Sequence, residues 1–368
     1  MSKRSAVLLS VLVALVLGAA AFAFALSHDS PCQAPPALAA GVASMKAAVA
    51  RCYGSPDVVR IERVAKPVPA DNQMLIKVRA ASVNPLDWHG VRGQPYLMRL
   101  ANGLGTPHDS SLGVDFAGTV EAVGRRVTRF KPGDEVFGGH DGALAQYVVA
   151  REAGAVALKP PNVTYEEAAA VPVAAITALQ ALRDRGSIHA GASVLVNGAG
   201  GGVGTFAVEI AKSLGAQVTA VTNTQNLALM RSIGADRVID YTREDFTRDA
   251  ERYDLIVDCS ANHSLSSYRH VLKPSGSYVI VGEAHMGLWV EPLVRVIDTI
   301  LVSKLAGQNL TPMLAQLNQR DMETLGALLK SGGVRPVIDR RYPLEETAGA
   351  LRYLETGHAR GKVVITID

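Results

Sequence analysis

Apolar positions along this chain change their spacing several times, and each spacing predicts a different element. Residues 6–26 are almost wholly apolar and follow Lys3 and Arg4, a run about as long as a bilayer-spanning helix. From Met45 the pattern shortens into strand-like runs: Lys46-Ala47-Ala48-Val49, Met74-Leu75-Ile76-Lys77-Val78 and residues 116–123. Pro132-Gly133-Asp134 marks a turn before Glu135-Val136-Phe137, so this stretch reads as a β-rich domain. Helical spacing begins at Tyr165-Glu166-Glu167-Ala168-Ala169 and continues over residues 177–182. Then Val194-Leu195-Val196-Asn197 enters Gly198-Ala199-Gly200-Gly201-Gly202-Val203-Gly204, and apolar residues recur at Val203, Phe206, Ala207, Ile210, Ala211 and Leu214. That is one stripe of a helix lying on a sheet. Gly215 stops the helix and Gln217-Val218-Thr219-Ala220-Val221 resumes a strand, completing a βαβ unit. Leu255-Ile256-Val257-Asp258 and Tyr278-Val279-Ile280-Val281-Gly282 add buried strands, as a doubly wound parallel sheet requires. Residues 288–305 are apolar at helical spacing and either line a cleft or pack between subunits. Residues 362–367 return to the first, β-rich domain.

The glycine cluster carries the strongest chemical message. Glycines allow a close backbone approach and tight helix–strand packing, while the helix N-terminus offers unpaired N–H groups to a pyrophosphate. An ordinary strand-to-helix turn is the bland alternative, but the βαβ context favours a dinucleotide site. Gly201 and Gly204 are expected to contact the pyrophosphate, with Gly198, Ala199, Gly200, Gly202 and Val203 shaping the turn. Gly282, closing a neighbouring strand, is placed with the same cofactor-binding residues. NAD recognition calls for a carboxylate about 20 residues beyond the turn; here Val221 is followed by Thr222, Asn223 and Thr224, with no acid. Neutral groups do not repel a 2′-phosphate, and Arg231 and Tyr241 lie close downstream. NADPH is therefore expected over NADH, although the same residues could simply form a polar loop.

Composition narrows the class. The 368 residues are 48% hydrophobic, more than one core usually holds, and the formal charge of +3 is spread without a basic block. Nucleic acid is thus not an expected partner. The three cysteines, Cys32, Cys52 and Cys259, are widely separated, which argues against both a disulfide framework and a metal cluster. The charged-then-apolar N-terminus reads as an uncleaved single membrane anchor. The alternatives are a signal segment cleaved after Ala25, giving a secreted or periplasmic protein, and a cytoplasmic protein whose translation starts at Met45. Residues 34–44, rich in Ala and Pro, read as a linker.

Residues 45–368 resemble a medium-chain dehydrogenase/reductase, and within that superfamily the zinc-free quinone oxidoreductase branch. The resemblance is carried by residues 82–88 (SVNPLDW), 113–118 (GVDFAG), 133–138 (GDEVFG), 169–172 (AAVP), 198–204, Gly234-Ala235-Asp236 with Asp240-Tyr241, and Gly361-Lys362-Val363-Val364, in family order. It implies an α/β protein with a GroES-like catalytic domain over residues 45–165, a Rossmann cofactor domain over 166–308, and a return to the catalytic domain over 309–368, all after an N-terminal segment over 1–44. Zinc-dependent members carry a Cys near Asn84-Pro85-Leu86-Asp87 and a His-Glu pair near Gly113-Val114-Asp115; this chain has neither, so no residue is assigned to metal. The resemblance implies hydride transfer from NADPH to a quinone or an α,β-unsaturated carbonyl, and a possible homodimer. Two alternatives stay open: an enoyl-thioester reductase, and a cofactor-binding sensor or interaction protein with little turnover.

Individual roles follow. Pro85 holds Asn84 extended, so its amide either bonds the nicotinamide ribose or substrate, or forms a turn. Asp87 either fixes that loop or exchanges protons. Tyr96 is the expected proton donor, because a neutral phenol can stabilise an enolate and then protonate it; the alternative is a rim aromatic. By resemblance Thr177 borders the nicotinamide, against the alternative of a helix hydroxyl. Lys362 either approaches the cofactor from the other domain or caps the final strand.

Overall fold

The computed structural model describes residues 3–282, 287–289, 297–300, 303 and 308–368. The apolar stretch expected over residues 288–305 lies largely outside the described residues.

After an N-terminal helix, α1 (Lys3–Ser27), the β-rich half contains β1 (Ser44–Val49), β2 (Arg60–Ala65), β3 (Gln73–Val83), α2 (Pro85–Arg92), α3 (Arg99–Asn102), β4 (Asp115–Val123), β5 (Glu135–Gly139), β6 (Tyr147–Arg151) and β7 (Val156–Leu158). Two helices follow, α4 (Tyr165–Ala169) and α5 (Pro172–Gln180). The glycine-rich half runs β8 (Ser193–Asn197), α6 (Gly202–Ser213), β9 (Gln217–Thr222), α7 (Leu227–Ser232), β10 (Arg237–Asp240), β11 (Tyr253–Asp258), α8 (Leu265–Val271), β12 (Leu272–Ile280) and β13 (Asn309–Pro312). The chain closes with α9 (Gln319–Ser331), β14 (Ile338–Pro343), α10 (Thr347–Glu355) and β15 (Lys362–Thr366).

Strands β10-β9-β8-β11-β12-β13 form one six-stranded sheet in which every pair is parallel. The chain reverses direction across the sheet between β8 and β11, the place where doubly wound sheets open a ligand crevice at the strand C-termini. Val194, Leu195 and Val196 of β8 are wholly buried, because helices cover both faces of a parallel sheet. On α6 the buried face carries Phe206, Ala207, Ile210 and Ala211, the spacing read from the sequence. Small residues bring α5 and α6 together: Ala174, Ala175 and Ala178 share a core with Ala207 and Ala211.

The second sheet has the order β14-β15-β3-β4-β5-β7, with β6 also on β3. Its pairs are antiparallel except β14–β15. Thus β15, the last strand, pairs with β3 and sets Lys362 beside the end of β3. The Rossmann-like and GroES-like reading of the fold holds.

The N-terminal expectation does not hold. Among the described residues no helix is long and apolar enough to cross a membrane, so an anchor, a membrane partner and a membrane location are not supported. The end of α1 instead docks on the β-rich half, where Leu26 is buried and its carbonyl accepts from Arg99. A disulfide joins Cys32 to Cys52, also contrary to expectation. Spacing alone does not foresee it, because the pair meets only when residues 30–33 fold back, with the Ser30 amide donating to the Gly105 carbonyl and the Gln33 amide to that of Arg51.

Candidate active site and cofactor cleft

Three glycines of the turn are required by packing. A Cβ on Gly204 would stand 2.3 Å from the Gly198 carbonyl oxygen; one on Gly200 would stand 2.4 Å from Asn226 Nδ2 and 2.8 Å from Thr222 Oγ1. Gly198 itself turns with φ +77° and would drive a Cβ within 2.5 Å of Ser260 Oγ. Gly201 differs: its Cβ would meet only the Gly198 oxygen, at 3.7 Å. It caps α6 in extended geometry, leaving the first-turn amides of Gly202, Val203 and Gly204 without intrahelical acceptors. The result is a cradle with donors aimed outward, as a pyrophosphate needs.

The neighbouring strand ends complete it. The Ala199 amide donates to the Val221 carbonyl at 3.0 Å, tying the turn to β9, and that of Tyr241 donates to Thr222. Thr222 is buried and Tyr241 is exposed. Asn223 Oδ1 is buried with no hydrogen-bond partner, an acceptor that fits a nucleotide ribose. Thr224 Oγ1 is engaged instead, donating to Asp240 Oδ2 at 2.6 Å. Gly282 lies beside Cys259, whose carbonyl would be 3.1 Å from its Cβ. Arg231 sits on α7, yet the guanidinium bonded to this loop belongs to Arg360, whose Nε donates to Asn226 Oδ1 at 2.8 Å. The residues present therefore fit a dinucleotide.

Across the seam stands a second cluster, centred on Asp115. It is wholly buried, as nearly are Ser82, Asn84, Asp87 and Lys362. Asp115 Oδ2 accepts from Ser82 Oγ at 2.8 Å, Asn84 Nδ2 at 2.9 Å and Lys362 Nζ at 3.3 Å. Its Oδ1 accepts from the Val173 amide at 2.9 Å, in the first turn of α5. Lys362 Nζ also donates to Asn84 Oδ1 at 2.5 Å and to the Val83 carbonyl at 3.3 Å. A buried lysine is tolerated only with such partners. The Asn84 amide donates to Asp87 Oδ2 at 2.6 Å, the capping arrangement at the start of α2. Burial, chiefly, and the nearby Asp115 charge push the Asp87 carboxyl up to about 7.

The backbone joins the two clusters. The Gly361 amide donates to the Gly200 carbonyl at 2.9 Å, and Lys362 Cδ would be 3.1 Å from a Cβ on Gly202. The structure thus brings Asn84, Asp87 and Lys362 together against the glycine turn. Thr177 faces inward from α5 but donates its hydroxyl to the Val173 carbonyl at 2.7 Å. Tyr96 is hydrogen-bonded to none of these among the described residues. Its amide donates to the Leu288 carbonyl, its ring meets Trp289 edge-on at 4.8 Å, and the Arg99 guanidinium lies over it at 4.8 Å. No group of three or more His, Cys, Asp or Glu side chains placed to hold a metal ion occurs among the described residues.

Comparison with known proteins agrees with this geometry. Residues 70–160 match the alcohol dehydrogenase GroES-like domain, residues 233–365 a zinc-binding dehydrogenase family, and residues 179–262 the C-terminal domain of alanine dehydrogenase/PNT. The chain is 36% identical over 328 residues to the 2-methylene-furan-3-one reductase of Solanum lycopersicum, which covers 85% of this chain and 76% of that protein. It belongs to the medium-chain dehydrogenase/reductase superfamily. Its relatives there include the NADPH-dependent alkenal/one oxidoreductase of Arabidopsis thaliana, 34% identical over 87% of this chain and 79% of that one. The quinone oxidoreductase structure from Coxiella burnetii superposes with a TM-score of 0.77 at 31% identity, covering 89% of this chain and all of that one. The chain is thus an NAD(P)H-type oxidoreductase with quinone oxidoreductase-like relatives. Sequence reading missed Asp115 and Ser82 as site residues and missed Arg360. Asp115 stood in the Gly113–Gly118 motif, a usable signal, whereas Arg360 gave none, being 134 residues from its partner.

Proposed function

We propose that this chain is an NADPH-dependent reductase that needs no zinc and transfers hydride to a quinone or to a carbon–carbon double bond conjugated to a carbonyl. The observation that carries the reading is the buried Lys362–Asn84–Asp115 cluster abutting the glycine turn. When bound, the cofactor supplies the hydride from its nicotinamide ring. Gly201 and the α6 amides hold the pyrophosphate. Asn84 gives one side-chain N–H to Asp115 and has a second to offer, while Lys362, its three N–H bonds spent inside the cluster, contributes its positive charge; in a water-poor site the two orient the nicotinamide ribose and favour negative charge developing on a carbonyl oxygen. Such preorganised donors take the place of Lewis-acid polarisation. Tyr96, a neutral phenol, supplies the proton that neutralises the enolate.

The preference for the phosphorylated cofactor rests on Arg360, which lies against the Asn223–Asn226 loop where no carboxylate follows β9. Guanidinium suits a phosphate.

Stopped-flow oxidation of bound NADPH by a panel of quinones, enones and acyl thioesters tests the proposal. Fast oxidation by quinones or enones is expected. Oxidation by acyl thioesters alone would move the chain to the enoyl-thioester reductases, and tight binding without oxidation would make it a sensor.

A further inference from the structure

Residues that precede the family-like region are built into the wall that carries Tyr96. Arg99 is 1% exposed although permanently charged, and all five of its N–H donors are used. Nε donates to the Gly93 carbonyl at 2.9 Å. Nη1 donates to the Leu26 and His28 carbonyls at 3.0 and 3.2 Å, and Nη2 to Asp29 Oδ1 at 2.8 Å and the Arg92 carbonyl at 3.2 Å. The guanidinium also lies over the rings of Tyr53 and Tyr96, at 4.2 and 4.8 Å. A buried guanidinium depends on all of its acceptors, since each one lost leaves charge unsatisfied in a low dielectric. Three of those five acceptors come from residues 26–29, so that segment helps decide where Arg99, and with it Tyr96, rests.

The same segment is fastened further along. The Ser30 amide donates to the Gly105 carbonyl at 3.0 Å, and a Cβ on Gly105 would stand only 2.5 Å from Ser30 Oγ. Gln33 Nε2 donates to Thr106 Oγ1 at 3.0 Å. The one covalent tie is the Cys32–Cys52 disulfide, in which Cys32 is exposed and Cys52 buried. Residues 26–33 therefore run as a strap over the loop that leads from Gly93 to Thr106.

We propose that this strap sets the position of Tyr96 through Arg99, and that reducing the Cys32–Cys52 disulfide releases it and weakens substrate binding. Arg99 is then a positioning residue. The inference rests on the role given to Tyr96 in the proposed function. Chemically, a dithiol reductant attacks the exposed Cys32 sulfur, forms a mixed disulfide and closes on itself. Two electrons and two protons end on Cys32 and Cys52 as thiols, and the reductant leaves as a disulfide.

The test uses the full chain carrying Trp88→Phe, so that Trp289, the remaining tryptophan of two, reports on its contact with Tyr96. After dithiothreitol treatment and anaerobic desalting, Trp289 emission changes, KM for an enone rises about threefold, and NADPH affinity holds; re-oxidation reverses all of it. Cys32→Ser reproduces the reduced state without reductant, and Asp29→Asn moves emission and KM the same way with the disulfide intact. Unaltered emission on reduction, or altered emission with KM unmoved in an active enzyme, overturns the inference. Altered emission in a chain that oxidises NADPH with no acceptor leaves the strap standing and removes the reductase reading, so the two failures are distinguishable.

Discussion

The glycine turn and the Asp115 cluster face each other across the seam, and they are made in opposite ways. The turn is backbone: residues 198–204 supply nearly all of it in one contiguous stretch, and its specificity lies in what a Cβ would strike. The cluster is side chain. It gathers Ser82 and Asn84 from the end of β3, Asp115 from β4, the first turn of α5, and Lys362 from β15. A backbone site tolerates change wherever a side chain would have room. A buried charged cluster tolerates little, because removing one member strands the others.

Substitutions that separate the two follow from this. Gly201→Val adds a branched side chain at the cradle, where a Cβ meets nothing closer than 3.7 Å, and should weaken NADPH binding on the order of 100-fold with a much smaller change in the thermal midpoint; calorimetric titration and thermal melts read the two effects. Lys362→Met should do the reverse, leaving Asp115 buried and uncompensated at a cost of about 3 kcal/mol in stability and lowering kcat far more than cofactor affinity. A Lys362→Met chain with wild-type stability would show that Asp115 does not depend on its partner. Arg360→Ala should raise the Kd for NADPH about tenfold, or about 1.4 kcal/mol, while that for NADH stays level; equal losses for both would remove Arg360 from phosphate recognition.

A further expected effect concerns pH. Burial holds Asp87 at about 7, so between roughly pH 4 and 7 the folded state binds this proton more readily than the unfolded chain, whose carboxyl has its ordinary value. Its contribution is present at low pH and declines as pH rises through that window. Asp87→Asn should therefore flatten the difference in urea stability between pH 4.5 and 7.5, relative to the parent chain; an unchanged difference would mean that Asp87 is ionised throughout.

The same contrast explains what was legible in the sequence. The turn and the parallel strands could be read because their physics is local: β-branched runs, glycines and a stripe at helical spacing lie within about 25 residues of one another. Of the cluster, Asn84, Asp87 and Lys362 were nameable only as separate residues. Asp115, which binds Asn84 and Lys362 together, was passed over, because nothing local shows that β15 pairs with β3. Residues 1–44 misled for the reverse reason. An apolar run has the same local pattern whether it spans a bilayer or docks on a domain, and the pairing of Cys32 with Cys52 depends on the chain folding back after α1.

The most direct test of the central claim follows the hydride itself. Metal-stripped protein is given C4-deuterated NADPH and an enone, and the product is examined by mass spectrometry and proton NMR. One deuterium at the β-carbon, delivered from one face of the nicotinamide and unaffected by added zinc, is the predicted result. Product formed only after zinc is restored, or product carrying no deuterium, would contradict the account.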